Sequence, residues 1–235
     1  MAHEQVRSND GVSEPRLATT LTATRHVGLG PHDEWEGERV EADDLTGQHG
    51  DHVEITGSAL HGVRLTGAHL EQLRMVDVLA VDCELSGTIA SESSLRRVEF
   101  RNCRMSGLVI SDAKLTDVRF HECKVDDANF RFVKGERVLF DSCSLVEADC
   151  SGAAFAASVF SGCDLSRAVF TKAAMVGTRL AGSTLDGLKG ASALRGVVVG
   201  TDQVLPLALG LFGDLGIVIS DDGPIVNRPD EVRAP

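Results

Sequence analysis

Residues 98–120 read VEF-RNCRM-SGLVI-SDAKL-TDVRF, with large apolar side chains at Phe100, Met105, Ile110, Leu115 and Phe120, one every five residues. Followed outward, this beat holds from Ile55 to Leu185. Of its 27 positions, 23 are Leu, Ile, Val, Met or Phe, and the exceptions Ala80, Ala90, Gly135 and Cys150 carry no charge. A second series lies two residues earlier, from Val53 to Ser183, and every member is Ala, Cys, Ser, Thr, Val or Leu. Charges, glycines and histidines fall almost entirely on the other three positions.

Two inward positions in every five fit neither common element. A helix needs spacings of three and four, and a strand needs strict alternation. A chain that turns a corner every five residues satisfies both series. Gly57, Gly62, Gly67, Asp77, Asp82, Gly87, Gly107, Asp112 and Asp117 stand two residues after the large side chain, where turn geometry is tolerated. A longer period overlies the first. Cys83, Cys103, Cys123, Cys143 and Cys163 recur every 20 residues, as do Phe100, Phe120, Phe140 and Phe160. Four pentapeptides therefore close one square coil, and like residues stack from coil to coil. At about 4.8 Å per coil, roughly seven coils over residues 43–188 make a rod of about 35 Å.

The units Ala128-Asn129-Phe130, Ala148-Asp149-Cys150 and Cys163-Asp164-Leu165-Ser166-Arg167 resemble the pentapeptide repeat family, over about residues 43–188. The position before the large residue departs from the family's Asp or Asn at Arg64, Arg74, Arg104, Lys114, Arg119 and Lys124. The resemblance implies an all-β solenoid, a right-handed quadrilateral β-helix, without enzymatic activity. The cysteine ladder reads as buried free thiols. Neighbouring Cβ atoms one coil apart stand beyond the roughly 3.5–4.5 Å a disulfide needs. Metal binding is disfavoured because paired CxxC spacing and nearby histidines are missing. Such thiols suit a reducing, cytoplasmic location.

Residues 1–42 break the period and read as a partly disordered segment, with Ser8 to Pro15 as its loosest part. Trp35 reads as a plug for the first coil, the alternative being an exposed ring at a binding surface. Residues 189–220 read as a C-terminal strand-helix-strand cap. It would comprise a strand at Arg195–Gly200, a helix from Thr201 or Asp202 through Phe212, and a strand at Ile217–Ile219. That helix is apolar nearly all round, so both sides should be buried. One side would close the rod, and Leu205, Leu209 and Phe212 would cap it or meet a second copy in a two-fold dimer. Gyrase-targeting members of the resembling family use a terminal helical module in that way. Residues 221–235 read as a disordered tail.

No catalytic constellation stands out. His49, His52, His61 and His69 read as surface histidines, and Asp126-Asp127 as solvated turn carboxylates. No cofactor or metal is expected. One local irregularity is Phe132, on an outward position, followed by Gly135 in place of a core residue. It reads as a bulge or an exchange of inward side chains, or else as an exposed contact flanked by Arg131, Lys134 and Arg137. With Arg96 and Arg97 these residues form a candidate partner surface.

Composition bounds the function. The 235 residues carry 35 acids and 23 bases, net −12, which argues against direct nucleic-acid binding. No apolar run is long enough to cross a membrane, and the N-terminus does not read as a secretory signal. The favoured expectation is a rigid scaffold for a protein partner of unknown identity. The alternative is DNA mimicry toward DNA gyrase or another type II topoisomerase, as in quinolone-resistance members of the family. Against it, residues 1–44 already hold net −6, while residues 45–188 hold net −4.

Overall fold

The structure, a computed structural model, describes residues 11–219. It is a parallel β-solenoid of about seven turns with one short C-terminal helix. The strands are β1 (Thr22–Thr24), β2 (Glu34–Glu36), β3 (Glu38–Glu41), β4 (Glu54–Thr56), β5 (Ala59–His61) and β6 (Arg74–Val81). They continue as β7 (Ser94–Arg101), β8 (Lys114–His121), β9 (Lys134–Asp141), β10 (Ala154–Ala156) and β11 (Val159–Ser161). From β2 to β11 every strand pairing is parallel with a shift of 20 residues, as in Met75↔Leu95 and Phe100↔Phe120, whereas β1 meets β3 at a shift of 16. The other two walls repeat the register through single bridges such as Asp44↔Arg64 and His49↔His69.

Corners follow from the sequence as expected. All nine glycines and aspartates assigned to turns have φ between 55° and 69°. Both inward series are buried. The Phe100, Phe120, Phe140 and Phe160 rings stack at 5.2, 4.6 and 4.8 Å, with Phe130, Phe155 and Phe170 meeting them edge-on. The smaller series has a polar duty besides filling space. Thr88 Oγ1 donates to the Leu65 carbonyl at 2.7 Å, and Thr178 Oγ1 to the Phe155 carbonyl at 2.9 Å. Cys123 and Cys143 place their thiols at the equivalent carbonyls of Phe100 and Phe120, at 3.5 and 3.3 Å. Serine, threonine and cysteine are thus interchangeable there, because each is small and each donates.

Phe132 causes neither a bulge nor an exchange. Lys134, Gly135 and Glu136 pair in register with residues 114–116 below and 154–156 above. The space vacated at Gly135 is filled from the next coil: a Cβ there would stand 2.6 Å from the Phe155 ring. The exceptions Ala80 and Ala90 instead leave a dry void of about 40 Å³, lined also by Leu60, Leu70 and Phe100.

The two ends depart from expectation. Residues 11–24, expected in part as disordered, run lengthwise along the rod. β1 pairs with β3, Ala18 N donates to Gly57 O at 3.0 Å, and Ser13 N reaches Asp117 about halfway up. Trp35 is buried in β2 next to Ile55, with the His26 ring stacked on it at 4.0 Å. At the C-terminus, Arg195–Gly200 contributes only the bridge Val198↔Arg179, and Ile217–Ile219 is not a strand. With no further coil to supply backbone partners, neither segment extends the sheet. Helix α1 spans Val204–Asp214 after a 3-10 turn at Thr201–Gln203. Gln203 Nε2 donates to the Ser183 carbonyl at 2.6 Å, and Asp214 accepts from the Gly190 and Ser192 amides at 3.2 and 2.9 Å. These bonds pin both helix ends to the last coil, and Leu207 and Leu211 pack on the core between them. The outer side is bare, so the helix is buried on one side only. The tail at 221–235 and residues 1–10 lie outside the described residues.

Phe140→Ala is expected to cost about 3–5 kcal/mol, because stacking above and below prevents collapse of the site. Ala90→Val fills existing space and is expected to gain about 1 kcal/mol. Urea unfolding followed by circular dichroism measures both.

Candidate functional site

The corner column built from residues 77, 97, 117 and 137 alternates Asp, Arg, Asp, Arg. The 20-residue register stacks these side chains in one line. Arg97 binds Asp77 in a fork, Nε to Oδ1 at 2.6 Å and Nη2 to Oδ2 at 2.5 Å. Arg137 binds Asp117 likewise at 2.7 and 3.0 Å, and also meets Glu136. The N-terminal strap, residues 11–24, lies over this ladder. Arg16 N donates to Asp77 at 2.9 Å and Ser13 N to Asp117 at 3.2 Å. Asp77, Asp117, Glu99 and Leu139 all occupy outward positions, yet all are buried. Outward positions on the same wall beyond the strap, Ala157 and Arg179, are exposed. The Arg97 and Arg137 guanidiniums hold the Asp77 and Asp117 carboxyls below the usual carboxylate range, assisted by the strap amides.

This arrangement divides the partner surface expected from sequence. Arg97 and Arg137 are committed to the ladder and are not free contacts; the Arg97 side chain is only 13% exposed. Phe132, Lys134 and Arg96 are exposed. Phe132 is 51% exposed, its ring lies against Gly152 of the next coil, and the Arg131 guanidinium sits 5.5 Å from the ring centre. Lys134 stands above Lys114 on one wall. The ladder itself escaped the sequence reading, although the alternation at 20-residue spacing was there to be found. The strap left no comparable signal, since its bonds use main-chain donors.

Helix α1 presents the second surface. Val204, Leu205, Leu209, Phe212 and Leu215 are exposed, Leu205 and Leu215 at 68% each, and exposed Ile217 to Ile219 follow them. Histidines pair by coil rather than converge: His49 stacks on His69 at 4.5 Å and His32 on His52 at 4.9 Å. Among the described residues no group of three or more His, Cys, Asp or Glu could hold a metal ion. All six cysteines are buried and free. Burial pushes the Cys150 thiol up. In the ladder, hydrogen bonds to neighbouring thiols, followed by burial, push Cys103 and Cys143 up. Among the described residues no helix is long and apolar enough to cross a membrane.

A square solenoid with stacked side-chain columns and two distinct exposed surfaces belongs to the repeat-scaffold class. The sequence matches the pentapeptide repeat region over residues 53–130 and pentapeptide repeats in eight copies over residues 148–187. The chain belongs to the pentapeptide repeat family. No curated protein matches it. Among solved structures it is similar to a trypsin-treated variant of QnrB1, a plasmid-mediated fluoroquinolone resistance protein. The two share 23% identity over 86% of this chain and 100% of that one, with a TM-score of 0.54. It is also similar to HetL, a pentapeptide repeat protein involved in heterocyst differentiation regulation in Nostoc sp. strain PCC 7120. That match has 17% identity over 78% of this chain and 89% of the other, with a TM-score of 0.34. At these identities the likeness to QnrB1 is one of fold.

The ladder has a pH signature. Asp77 and Asp117 have lowered folded-state values, so they stabilise the fold above the unfolded carboxyl value of about 3.9. That contribution disappears as pH falls through the folded values. Thermal melts of wild type and Asp77→Asn/Asp117→Asn are expected to differ most above about pH 4 and to converge below it.

Proposed function

We propose that this protein is a rigid, non-catalytic scaffold that binds a protein partner and pairs with a second copy through α1. The observation that carries the reading is the bare outer side of α1. A helix whose inner side already closes the rod keeps Leu205, Leu209 and Phe212 in water. Apolar groups so grouped mark a contact surface. A two-fold partner offers the same apolar side in return. The exposed Phe132, Lys134 and Arg96 supply the second contact region, and a stiff rod loses little conformational freedom on binding. Six buried free thiols accord with a reducing cytoplasm.

In light scattering after gel filtration, the wild-type chain is expected to run as a dimer and Leu205→Glu/Leu209→Glu as a monomer with an unchanged circular dichroism spectrum. A monomeric wild type overturns the pairing. Affinity capture is expected to retain a protein on the wild type and to lose it with Phe132→Ser/Lys134→Glu; retention of nothing by either overturns the partner reading.

A second reading, inhibition or protection of DNA gyrase by DNA mimicry, draws on the fold shared with QnrB1 and on one acidic stripe. Glu34, Asp51, Glu54, Glu71, Glu92 and Asp112 are exposed along adjoining coils. Four coil steps span about 19 Å, over which duplex DNA carries about 11 phosphate charges. Six carboxylates are about half that density, and the stripe turns basic at Lys114, Arg131, Lys134 and Lys172. Scaffolding therefore ranks first. A gyrase supercoiling assay with and without a fluoroquinolone separates the two. Scaffolding for another partner predicts no effect at large excess, whereas mimicry predicts inhibition or drug protection at low micromolar levels.

A further inference from the structure

The strap-covered wall has the features of a site for an extended peptide. Its carboxylates are spaced for one. Asp77 and Asp117 are two coils apart, about 9.6 Å, and the amides they accept from, Arg16 and Ser13, are three extended residues apart, about 10 Å. Only the lower strap joins the sheet, through β1 on β3 and Ala18 N to the Gly57 carbonyl; at Ser13 and Arg16 the strap crosses the strands and its amides stay out of the ladder. The side-chain carboxylates take them instead. Glycine permits the close approach lower down. A Cβ on Gly37 would stand 3.3 Å from Ala18 Cβ, and one on Gly57 would stand 3.5 Å from Ala18 N. The lower strap is held by short contacts, yet its side chains contribute little to the rod's interior. Arg16, Ala18, Thr19 and Thr20 are exposed.

The wall does not end where the strap ends. Past Gly11 it continues as an open groove of about 520 Å³, lined by Leu139, Ala157 and Val159 with Asp141 and Arg179 at its sides. Among the described residues the strap covers the wall as far as Gly11 and leaves it open beyond.

We propose that this wall is a binding site for an extended peptide segment of a protein partner, and that the strap fills it in the partner's absence. The segment that fits has free amides three residues apart for Asp77 and Asp117 and an apolar side chain for the Leu139–Val159 groove. It enters at the vacant end and displaces the strap coil by coil. The strap bonds given up at Ser13, Arg16 and Ala18 are replaced by equivalent ones from the incoming segment. The proposal rests on the scaffold reading, because it specifies where a partner docks.

Strap exchange tests it without a partner in hand. The probe is a fluorescein-labelled peptide of residues 11–24. Ser13→Pro/Ala18→Pro, made in the full chain, removes the amides that reach Asp117 and Gly57 and leaves the wall intact. By fluorescence anisotropy this variant is expected to bind the probe at least tenfold more tightly than the wild type, whose own strap competes. Adding Asp77→Asn/Asp117→Asn is expected to weaken that binding. Equal binding by variant and wild type, or none by the variant, overturns the proposal. Should the variant fail to fold, hydrogen exchange on the wild type decides. Amides of residues 11–24 are expected to exchange at least tenfold faster than those of β6 to β9, because the strap opens while the rod stays folded. Protection equal to that of the strands makes the strap part of the core and overturns the proposal. Failed exchange leaves the scaffold reading standing. Successful exchange with no captured protein overturns the scaffold reading and with it the partner segment as occupant.

Discussion

The rod depends on backbone hydrogen bonds between successive coils, which join residues 19 or 21 apart and hold a register of 20. Leu45 N to Arg64 O, Leu65 N to Glu84 O and Leu85 N to Arg104 O, at 2.7–2.8 Å, are successive links of one ladder. A buried amide without a partner costs more than a made bond contributes. Each coil must therefore have the length of its neighbours. An insertion on one coil would shift everything above it, and the register from Ile55 to Leu185 contains none. The strictness of the pattern is a consequence of this constraint and not a sign of any particular activity.

The same constraint creates columns, and columns decide what surfaces the rod can have. A residue is never placed alone; it is placed above one residue and below another. Phenylalanines in line become a stack, and cysteines in line become donors to successive carbonyls. Asp and Arg in alternation become the ladder at 77, 97, 117 and 137. Like charges also stack, as Glu34 with Glu54, Asp51 with Glu71, Glu92 with Asp112 and Lys114 with Lys134, and all of these side chains are exposed to water, which screens the repulsion. The acidic stripe from Glu34 to Asp112 is spread over three columns and gives way to lysine and arginine beyond it.

How much of this could be read from the sequence depends on whether the signal was periodic. The core was fully legible, because Phe100 to Phe160 and Cys83 to Cys163 repeat themselves. The helix at Val204–Asp214 was legible as a helix, but its two sides were not. Leu207 and Leu211 look no different in sequence from Leu205 and Leu209, and only the anchors at Gln203 and Asp214 fix which side turns inward. Ile217 to Ile219 is apolar enough for a strand but has no coil above to pair with. The strap was illegible, because main-chain amides of Ser13, Arg16 and Ala18 make its bonds and any residue but proline supplies one. At Phe132 the sequence left a bulge or exchange and an exposed contact both open, and the structure has the ring exposed. Its aromatic character suggests burial, but the register leaves that corner no route inward, and Phe155 already fills the space at Gly135.

A solenoid must also solve the problem of its ends, where the ladder stops with groups unpaired. The upper end is closed by α1, pinned at Gln203 and Asp214. The lower end is closed by Trp35, Leu29 and His26, with β1 laid against β3. Once β1 has closed that end, nothing in the ladder requires the chain before it to stay on the rod. Residues 11–21 nevertheless follow the wall for several coils and place two amides on two carboxylates. Capping accounts for β1 and not for the length of the strap beyond it. The part of the chain that end-capping does not explain lies on the wall that carries the Asp77–Arg97 and Asp117–Arg137 forks.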